Sequence, residues 1–379
     1  MKNLNLIATA TFGLEATVKR EITRLGCDIA ASSDGRIDFT GDFADLARAN
    51  LWLRASDRIL LKMGEFAATT FDQLFEQTKA LPWEDFITAD GHFTVTGKSI
   101  KSGLFSVPDC QSIVKKAVVE KLKLTYQVER FAEDGPEYTI QAAILKDQVT
   151  ITIDTTGARM GLFKRGYRAN SAGAPLKETM AAALISLSYW RPGRILLDPT
   201  CGSGTIAIEA ALMAKNIAPG LSRSFASEKW PQIPAANWKE ARRQAYSVID
   251  MSAKPLIYAS DIDGDAIALA QENAAEAGVD DCIHFEQKPL NQLTLPGEYG
   301  VTISNPPYGE RLSRLQEVEE LYSDMGKLFN NPTWSVYVLT SDEFFESAYG
   351  KRANAKRKLF NGNIKVDYYQ YFGKSPGKN

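Results

Sequence analysis

The chain has 379 residues, 44% of them apolar and 24% charged, with a formal net charge of −2. Those values exclude a collagen-like, disordered or disulfide-scaffold chain, and the length suits two or three domains. No run approaches the roughly 18–20 uninterrupted apolar residues of a bilayer crossing, and the N-terminus MKNLNLIATATFGLE lacks the apolar core and cleavage site of a secretory signal. Cys27, Cys110, Cys201 and Cys282 lie far apart, so they read as reduced thiols of a cytoplasmic protein without a zinc site. With His92 and His284 as the only histidines, chemistry built on a histidine cluster is nearly excluded.

In chain order, Leu4–Ala10 reads as a strand, and Leu14, Val18, Ile22 and Leu25 are spaced along one helix face. Two β-type segments follow, around Ile29 and at Ile37–Thr40, and Asp42 is placed to cap a second helix. This first block, residues 1–65, is a small α/β unit that needs a neighbour to be stable. The second block, 66–157, holds a helix over Phe71–Lys79, a strand at His92–Thr96 and a helix at Gln111–Leu124. It ends in the runs Tyr138–Leu145 and Val149–Thr155, joined by a hairpin turn at Lys146-Asp147-Gln148. The third block, 158–379, alternates strands with helices, the pattern of a parallel sheet with crossover connections. Proline and tryptophan gather between Ala218 and Trp238, which reads as an insertion, and the chain ends in a hairpin across Asn361-Gly362-Asn363.

The near-zero net charge hides local excesses. Ala158–Arg168 carries Arg159, Lys164, Arg165 and Arg168 with no acid, and Lys351–Asn379 carries eight basic residues against Asp367 alone. Lys98, Lys101, Lys115, Lys116, Lys121 and Lys123 give the second block a basic face. Such patches on a neutral chain suit either a nucleic-acid footprint on one face or a simply solvated surface.

Two loops carry the chemistry. In the first, the apolar strand Ile195–Leu197 ends in Asp198 and runs through Pro-Thr200-Cys201-Gly202-Ser203-Gly204-Thr205 into a helix rich in Ala and Ile. Glycines let a ligand approach the backbone, and the helix N-terminus offers donors and partial positive charge. Gly202-x-Gly204-x-x-Ala207 also satisfies a dinucleotide fingerprint. Asp261, at the end of the strand Leu256–Ser260, is placed to accept from ribose hydroxyls, but it follows far later than the about 20 residues usual for a dinucleotide site. In the second loop, Val301–Ser304 ends in Asn305-Pro306-Pro307-Tyr308. The prolines stiffen the turn and free its carbonyls. The Asn305 side-chain oxygen and the Pro306 carbonyl then suit the two hydrogens of a planar amino group, and Tyr308 the face of its ring. An exocyclic amino group is a poor nucleophile, and two fixed acceptors orient it for attack without a strong base.

These motifs, with Arg165-Gly-Tyr-Arg168 and Ala174-Pro-Leu-Lys177-Glu178 ahead of the cofactor strand, resemble those of THUMP-domain class I S-adenosylmethionine-dependent RNA methyltransferases. The bacterial large-subunit rRNA guanine-N2 methyltransferase group is the nearest match. The resemblance implies an α/β fold: a Rossmann-like, mostly parallel sheet with an antiparallel C-terminal hairpin, preceded by a ferredoxin-like domain and a THUMP RNA-binding domain. It implies S-adenosylmethionine as cofactor and RNA as partner, rRNA rather than tRNA, with no metal and no membrane. By the same resemblance Asp198, Thr200, Cys201, Gly202, Ser203, Gly204 and Thr205 hold the donor's methionine end with Lys177 and Glu178. Asp261 takes the ribose and Ile262 the adenine, while Asn305, Pro306 and Tyr308 take the target base. Many relatives carry an Asp after the third strand for the adenine amino group. Here Ile283–Asn291 has none, which leaves Gln287, Asn291 or backbone. The competing readings are a tRNA guanine-N2 methyltransferase, a DNA or protein amino methyltransferase, an RNA-binding assembly factor without turnover, and a nicotinamide dehydrogenase.

Overall fold

In the computed structural model, which describes residues 3–168, 176–307 and 315–375, the strands form two seven-stranded sheets. The chain divides into two units, one of residues 1–10, 18–162 and 223–244, the other of 11–17, 163–222 and 245–379.

The first sheet has the order β2-β3-β1-β4-β7-β6-β5. Its strands are β1 (Leu4–Ala10), β2 (Asp28–Ser33), β3 (Arg36–Gly41), β4 (Ser56–Ala67), β5 (His92–Ile100), β6 (Glu137–Leu145) and β7 (Gln148–Asp154). Helices α1 (Glu15–Arg24), α2 (Phe43–Trp52), α3 (Phe71–Lys79) and α4 (Val107–Tyr126) lie between them. Leu14, Val18 and Ile22 are buried as their spacing predicts, whereas Leu25 is half-exposed and Cys27 is buried beyond it. Asp42 caps α2 through a reciprocal box: its carboxylate accepts from the amides of Ala44 (2.8 Å) and Asp45 (3.0 Å), and Asp45 accepts from the Asp42 amide (2.9 Å).

The long strand β4 has no counterpart in the sequence reading. It pairs antiparallel with β1 on one side and β7 on the other, so the expected boundary at Glu65 falls inside a strand. The first block thus gains its neighbour through one continuous sheet. At the β6–β7 turn both Lys146 (φ 51°) and Asp147 (φ 64°) are left-handed, the geometry of a two-residue hairpin loop achieved without glycine.

The Pro- and Trp-rich segment is more than an outward loop. From Arg223 it belongs to the first unit. There Trp230 stacks on Tyr138 (centroids 5.0 Å apart) and donates to the Glu137 carbonyl (3.1 Å). The Arg223 guanidinium donates to carbonyls of Met160, Gly161 and Thr156.

The second sheet has the order β10-β9-β8-β11-β12-β14-β13. Its strands are β8 (Leu196–Asp198), β9 (Ile257–Asp261), β10 (Ile283–Gln287), β11 (Val301–Ser304), β12 (Ser335–Thr340), β13 (Ala355–Asn361) and β14 (Ile364–Tyr371). Its helices are α5 (Glu178–Leu187), α6 (Thr205–Ala214), α8 (Gly264–Glu276), α9 (Leu315–Leu328) and α10 (Phe345–Tyr349), while α7 (Ala235–Ser247) lies mostly in the first unit, to residue 244. Strands β8 to β12 are parallel, and the β13–β14 hairpin joins antiparallel to β12. Asn361 pairs with Ile364, so the tight turn is Gly362-Asn363, with Gly362 at φ 63°. Strands β11 and β12 are buried throughout, as parallel strands covered on both faces must be. An aromatic layer of Tyr322, Phe345, Tyr349, Tyr369 and Tyr371 backs the sheet beside β12 and β14.

Candidate active site

The carboxyl ends of β8, β9 and β11 bring the sequence motifs to one edge of the second sheet, where an open α/β sheet binds its ligands. Asp198 closes β8 with 1% of its surface exposed. Among the described residues its carboxylate accepts only from the Thr200 amide, at 3.4 Å. Burial pushes this carboxyl well above the ordinary carboxylate range, the Thr200 amide opposes the shift, and nearby Asp261 adds to it. A buried acid so poorly supplied with donors suits a cationic ligand group.

The turn after Asp198 is built for close approach. Gly202 (φ 49°) and Gly204 (φ 79°) are both left-handed, and a side chain at Gly202 would meet nothing within 4 Å, so the cradle is open. At Gly204 a Cβ would come within 3.0 Å of Ala270, so glycine there brings α6 close to α8. No side chain caps the first turn of α6, which leaves its amides to a ligand. The Cys201 amide bonds to the Ser260 carbonyl (2.9 Å), and Asn273 of α8 donates to the Ser203 carbonyl (3.0 Å), fixing the turn from two sides.

Asp261 ties two loops together. Its Oδ2 accepts from the Gly202 amide (2.9 Å) and its Oδ1 from the Asp263 amide (3.1 Å), which orients the carboxylate and leaves further lone pairs for a hydroxyl pair. Ile262, next to it, is 71% exposed, an apolar surface with no packing role in the fold. Gln287 donates to the Ile262 carbonyl (3.2 Å), so it braces this loop, whereas Asn291 is exposed.

The second loop is joined to the first directly: Thr200 Oγ1 and Ser304 Oγ are 2.8 Å apart. Asn305 follows Ser304, and its side-chain oxygen is buried with no hydrogen-bond partner among the described residues. An orphaned acceptor of that kind costs about 1–3 kcal/mol unless something is supplied to it. Pro306 is buried and Pro307 exposed; Tyr308 lies outside the described residues.

Behind the glycine turn the structure reveals a buried charge network that the sequence reading missed. Arg165, 3% exposed, pairs with Glu209 of α6 (3.3 Å), which also accepts from the Tyr167 hydroxyl (3.2 Å). Arg168 pairs with Glu178 at the start of α5 (3.5 Å) and donates to the Thr205 hydroxyl at the start of α6. Burial raises the Glu178 carboxyl, and Arg168 partly opposes it. Two of the four basic residues of 158–168 are therefore internal and are not part of a phosphate-binding face. The signal was present: Glu209 is the only acid in the apolar helix TIAIEAALMA, and a buried acid needs a cation. Lys177 sits at the N-cap of α5 with its ammonium 4.8 Å from the Phe163 ring centre.

A family profile described as RMKL-like, methyltransferase domain (UPF0020), matches residues 165–370. The chain belongs to the RMKL-like methyltransferase family. Profiles for the RlmL ferredoxin-like domain and the THUMP domain match residues 5–60 and 68–154. YpsC of Bacillus subtilis, provisionally named an RNA methyltransferase, is 52% identical over 99% of this chain and 97% of its own length. Ribosomal RNA large subunit methyltransferase K/L of Shewanella baltica is 33% identical over 97% of this chain. The chain spans about half of that longer relative, 53% of its length. A Listeria monocytogenes structure, described as a predicted N6-adenine-specific DNA methylase, superposes with a TM-score of 0.94 at 51% identity, covering 99% of this chain and 97% of that one. SMU.472, provisionally described as a methyltransferase and solved with SAH, superposes at 0.93 with 44% identity over the whole of both chains. Among the described residues no cluster of His, Cys, Asp and Glu is arranged to hold a metal ion, and no helix is long and apolar enough to cross a membrane. All four cysteines are buried and unbridged.

Proposed function

We propose that this chain transfers the methyl group of S-adenosylmethionine to the exocyclic N2 amino group of a guanine in RNA, with large-subunit rRNA as the substrate. The observation that carries the reading is the orphaned Asn305 oxygen, buried one residue beyond the Thr200–Ser304 bond that ties the donor turn to the acceptor turn. A planar amino group supplies the missing donor. The open glycine cradle, the uncapped first turn of α6 and the buried Asp198 fit the amino-acid end of the donor. Lys177, Glu178, Cys201, Ser203 and Thr205 complete that end, and Asp261 and Ile262 face its nucleoside. The rRNA assignment draws on the K/L relatives and the THUMP match.

In the reaction the amino nitrogen attacks the methyl carbon as the carbon–sulfur bond breaks. The positive charge leaves sulfur for nitrogen, which then sheds one proton to solvent. Asn305 and the Pro306 carbonyl hold the two amino hydrogens, so the lone pair points at the methyl group, and the face of the base is assigned to Tyr308 by its motif. Alignment of this kind can supply about 7–11 kcal/mol of the barrier. Extruding the base costs a few kcal/mol, and stacking returns about 1–3.

Asn305→Ala is expected to lower turnover about 10²–10³-fold, as for removal of one oriented polar group at a reacting centre, while calorimetry shows S-adenosylhomocysteine bound as before. Unchanged turnover overturns the role of Asn305. Labelled methyl transfer onto separated rRNA, tRNA and DNA, followed by nucleoside analysis, is expected to yield N2-methylguanosine in rRNA. Label in tRNA or as N6-methyladenine in DNA replaces the substrate, and no label with the donor bound leaves a binding protein without turnover.

A further inference from the structure

The second sheet runs β9, β8, β11, β12 and β14 through its middle. The donor features stand at the ends of β8 and β9 and Asn305 at the end of β11, so β12 and β14 border the acceptor loop on the side away from the donor. Ser304 pairs with Val338, and β12 continues to Thr340, two residues beyond that level. Thr340 in turn pairs with Asp367 of β14, which runs the opposite way, so Ile364–Val366 rises beside the loop that follows β12. What approaches Asn305 from this side passes over that loop.

The loop, Ser341–Phe344, is held by its own polar groups. The Asp342 amide donates to Thr340 Oγ1 (3.1 Å), which lies 3.1 Å from the Tyr322 hydroxyl of α9. The Asp342 carboxylate accepts from the Phe344 amide (2.8 Å), and the Asp342 carbonyl from the Tyr369 hydroxyl (3.3 Å). Two phenylalanines leave this turn with opposite fates. Phe345 is wholly buried, edge-on to Tyr322 with ring centres 4.9 Å apart. Phe344 is 75% exposed and takes no part in the aromatic layer. It stands at the N-cap position of α10 with no side-chain cap, where Ser, Thr, Asp or Asn stabilises a helix by about 1 kcal/mol. Phe344 therefore serves neither the core nor the helix. Beside it Glu343 is exposed, and across on β14 so are Ile364 and Lys365.

We propose that Phe344 is a further substrate contact: its ring stacks on the base next to the target guanine and holds that neighbour while the target reaches Asn305. The proposal rests on the RNA reading above and adds the residue that grips the flanking nucleotide. Extruding the target strips one stacking face from its neighbour, and an exposed ring one strand from Asn305, at a strand spacing of about 4.8 Å, replaces it. Because the loop stands beyond the level of Asn305, the ring meets the flanking base and leaves the target to the acceptor turn. Glu343 repels phosphate, so the loop's partner is a base and the backbone passes on the β14 side, beside Lys365. A single exposed apolar side chain is ordinary on a protein surface. An exposed phenylalanine at a capping position on the acceptor side of this sheet edge is what calls for a ligand.

The test is steady-state methyl transfer by the full chain onto large-subunit rRNA transcribed in vitro, with calorimetry of S-adenosylhomocysteine and thermal unfolding alongside. Phe344→Ala is expected to raise KM for the RNA about 5- to 100-fold, with kcat, by-product affinity and melting temperature as in the parent. Phe344→Trp is expected to restore KM, since a larger ring keeps the stack. The slope of log KM against log salt stays unchanged in Phe344→Ala and becomes shallower by about 0.7 in Lys365→Gln, which gives up one phosphate. Kinetics of Phe344→Ala equal to those of the parent overturn the contact, as they do if the ring serves a protein partner. A loss that Phe344→Trp does not restore, or one that comes with a lower melting temperature, marks a structural role and overturns it too. A fall in kcat at unchanged KM puts the ring on the target base and overturns the flanking assignment, and an unchanged slope in Lys365→Gln overturns the backbone path. A parent that binds S-adenosylhomocysteine but leaves this rRNA unlabelled removes the proposed substrate itself, and the flanking contact with it.

Discussion

Two sets of basic residues in this protein have opposite fates. Arg159, Lys164, Arg165 and Arg168 are clustered in sequence, yet Arg165 and Arg168 turn inward to meet Glu209 and Glu178. Lys98, Lys101 and Lys146 are scattered, yet the parallel pairing of β5 with β6 and the hairpin to β7 bring them to one exposed corner. A run of positive charge therefore says little about where the charge ends up. The acid that claims it decides, and for Arg165 that acid lies 44 residues away on α6.

The inward set should be the costlier to disturb. Removing one partner of a buried ion pair leaves the other charge stranded, at about 3–5 kcal/mol. Arg165→Met is accordingly expected to lower stability by about that much in urea unfolding, because Glu209 already has its second oxygen without a partner among the described residues. Adding Glu209→Gln neutralises the stranded charge and keeps an acceptor for Tyr167, so the double variant should recover most of the loss. A single variant as stable as the parent would show that the pair is not a structural element.

Asp198 is the sharper case, a buried acid with no cation beside it among the described residues. Its folded pKa lies above its unfolded one. The carboxyl's contribution to stability is therefore intact below the ordinary value of 3.8 and is lost as pH climbs toward the raised value. Asp198→Asn does not titrate. It should be about 1–3 kcal/mol more stable than the parent at neutral pH, with the advantage fading in acid, and it should bind S-adenosylhomocysteine more weakly. Thermal unfolding across pH 3–8 with calorimetry at neutral pH checks both halves. A variant that gains stability and keeps its affinity would detach Asp198 from the donor.

Much of this was legible in the sequence where the cause is local. Strand β1, helix α3, the Asp42 cap and the C-terminal hairpin follow from period, capping and turn chemistry, and the two site loops follow from glycines and prolines that restrict the backbone around them. Strand β4 was not legible, since Ser56–Ala67 mixes apolar and charged residues without one period and is fixed by partners on both sides. The return of Trp230 to Tyr138 and the burial of Arg165 depend on contacts between distant segments, for which local pattern carries no mark. The Asn305 oxygen shows the limit most clearly: its residue type and turn were readable, but its lack of a partner among the described residues is a property of the folded edge.

The smallest expected effect completes the comparison. Lys356 belongs to the C-terminal basic stretch and pairs with Glu346 at 2.5 Å, a shorter contact than Arg165 makes with Glu209. Its side chain is 46% exposed against 3% for Arg165. Water screens the exposed pair in both the folded and the unfolded chain, and holding a long side chain in place costs entropy, so such pairs contribute about 0–1 kcal/mol. Lys356→Ala should therefore shift stability by no more than that in urea unfolding, and the shift should shrink in 1 M salt, where the screening length falls to about 3 Å. A loss as large as that of Arg165→Met would mean that distance, and not burial, sets the worth of these pairs.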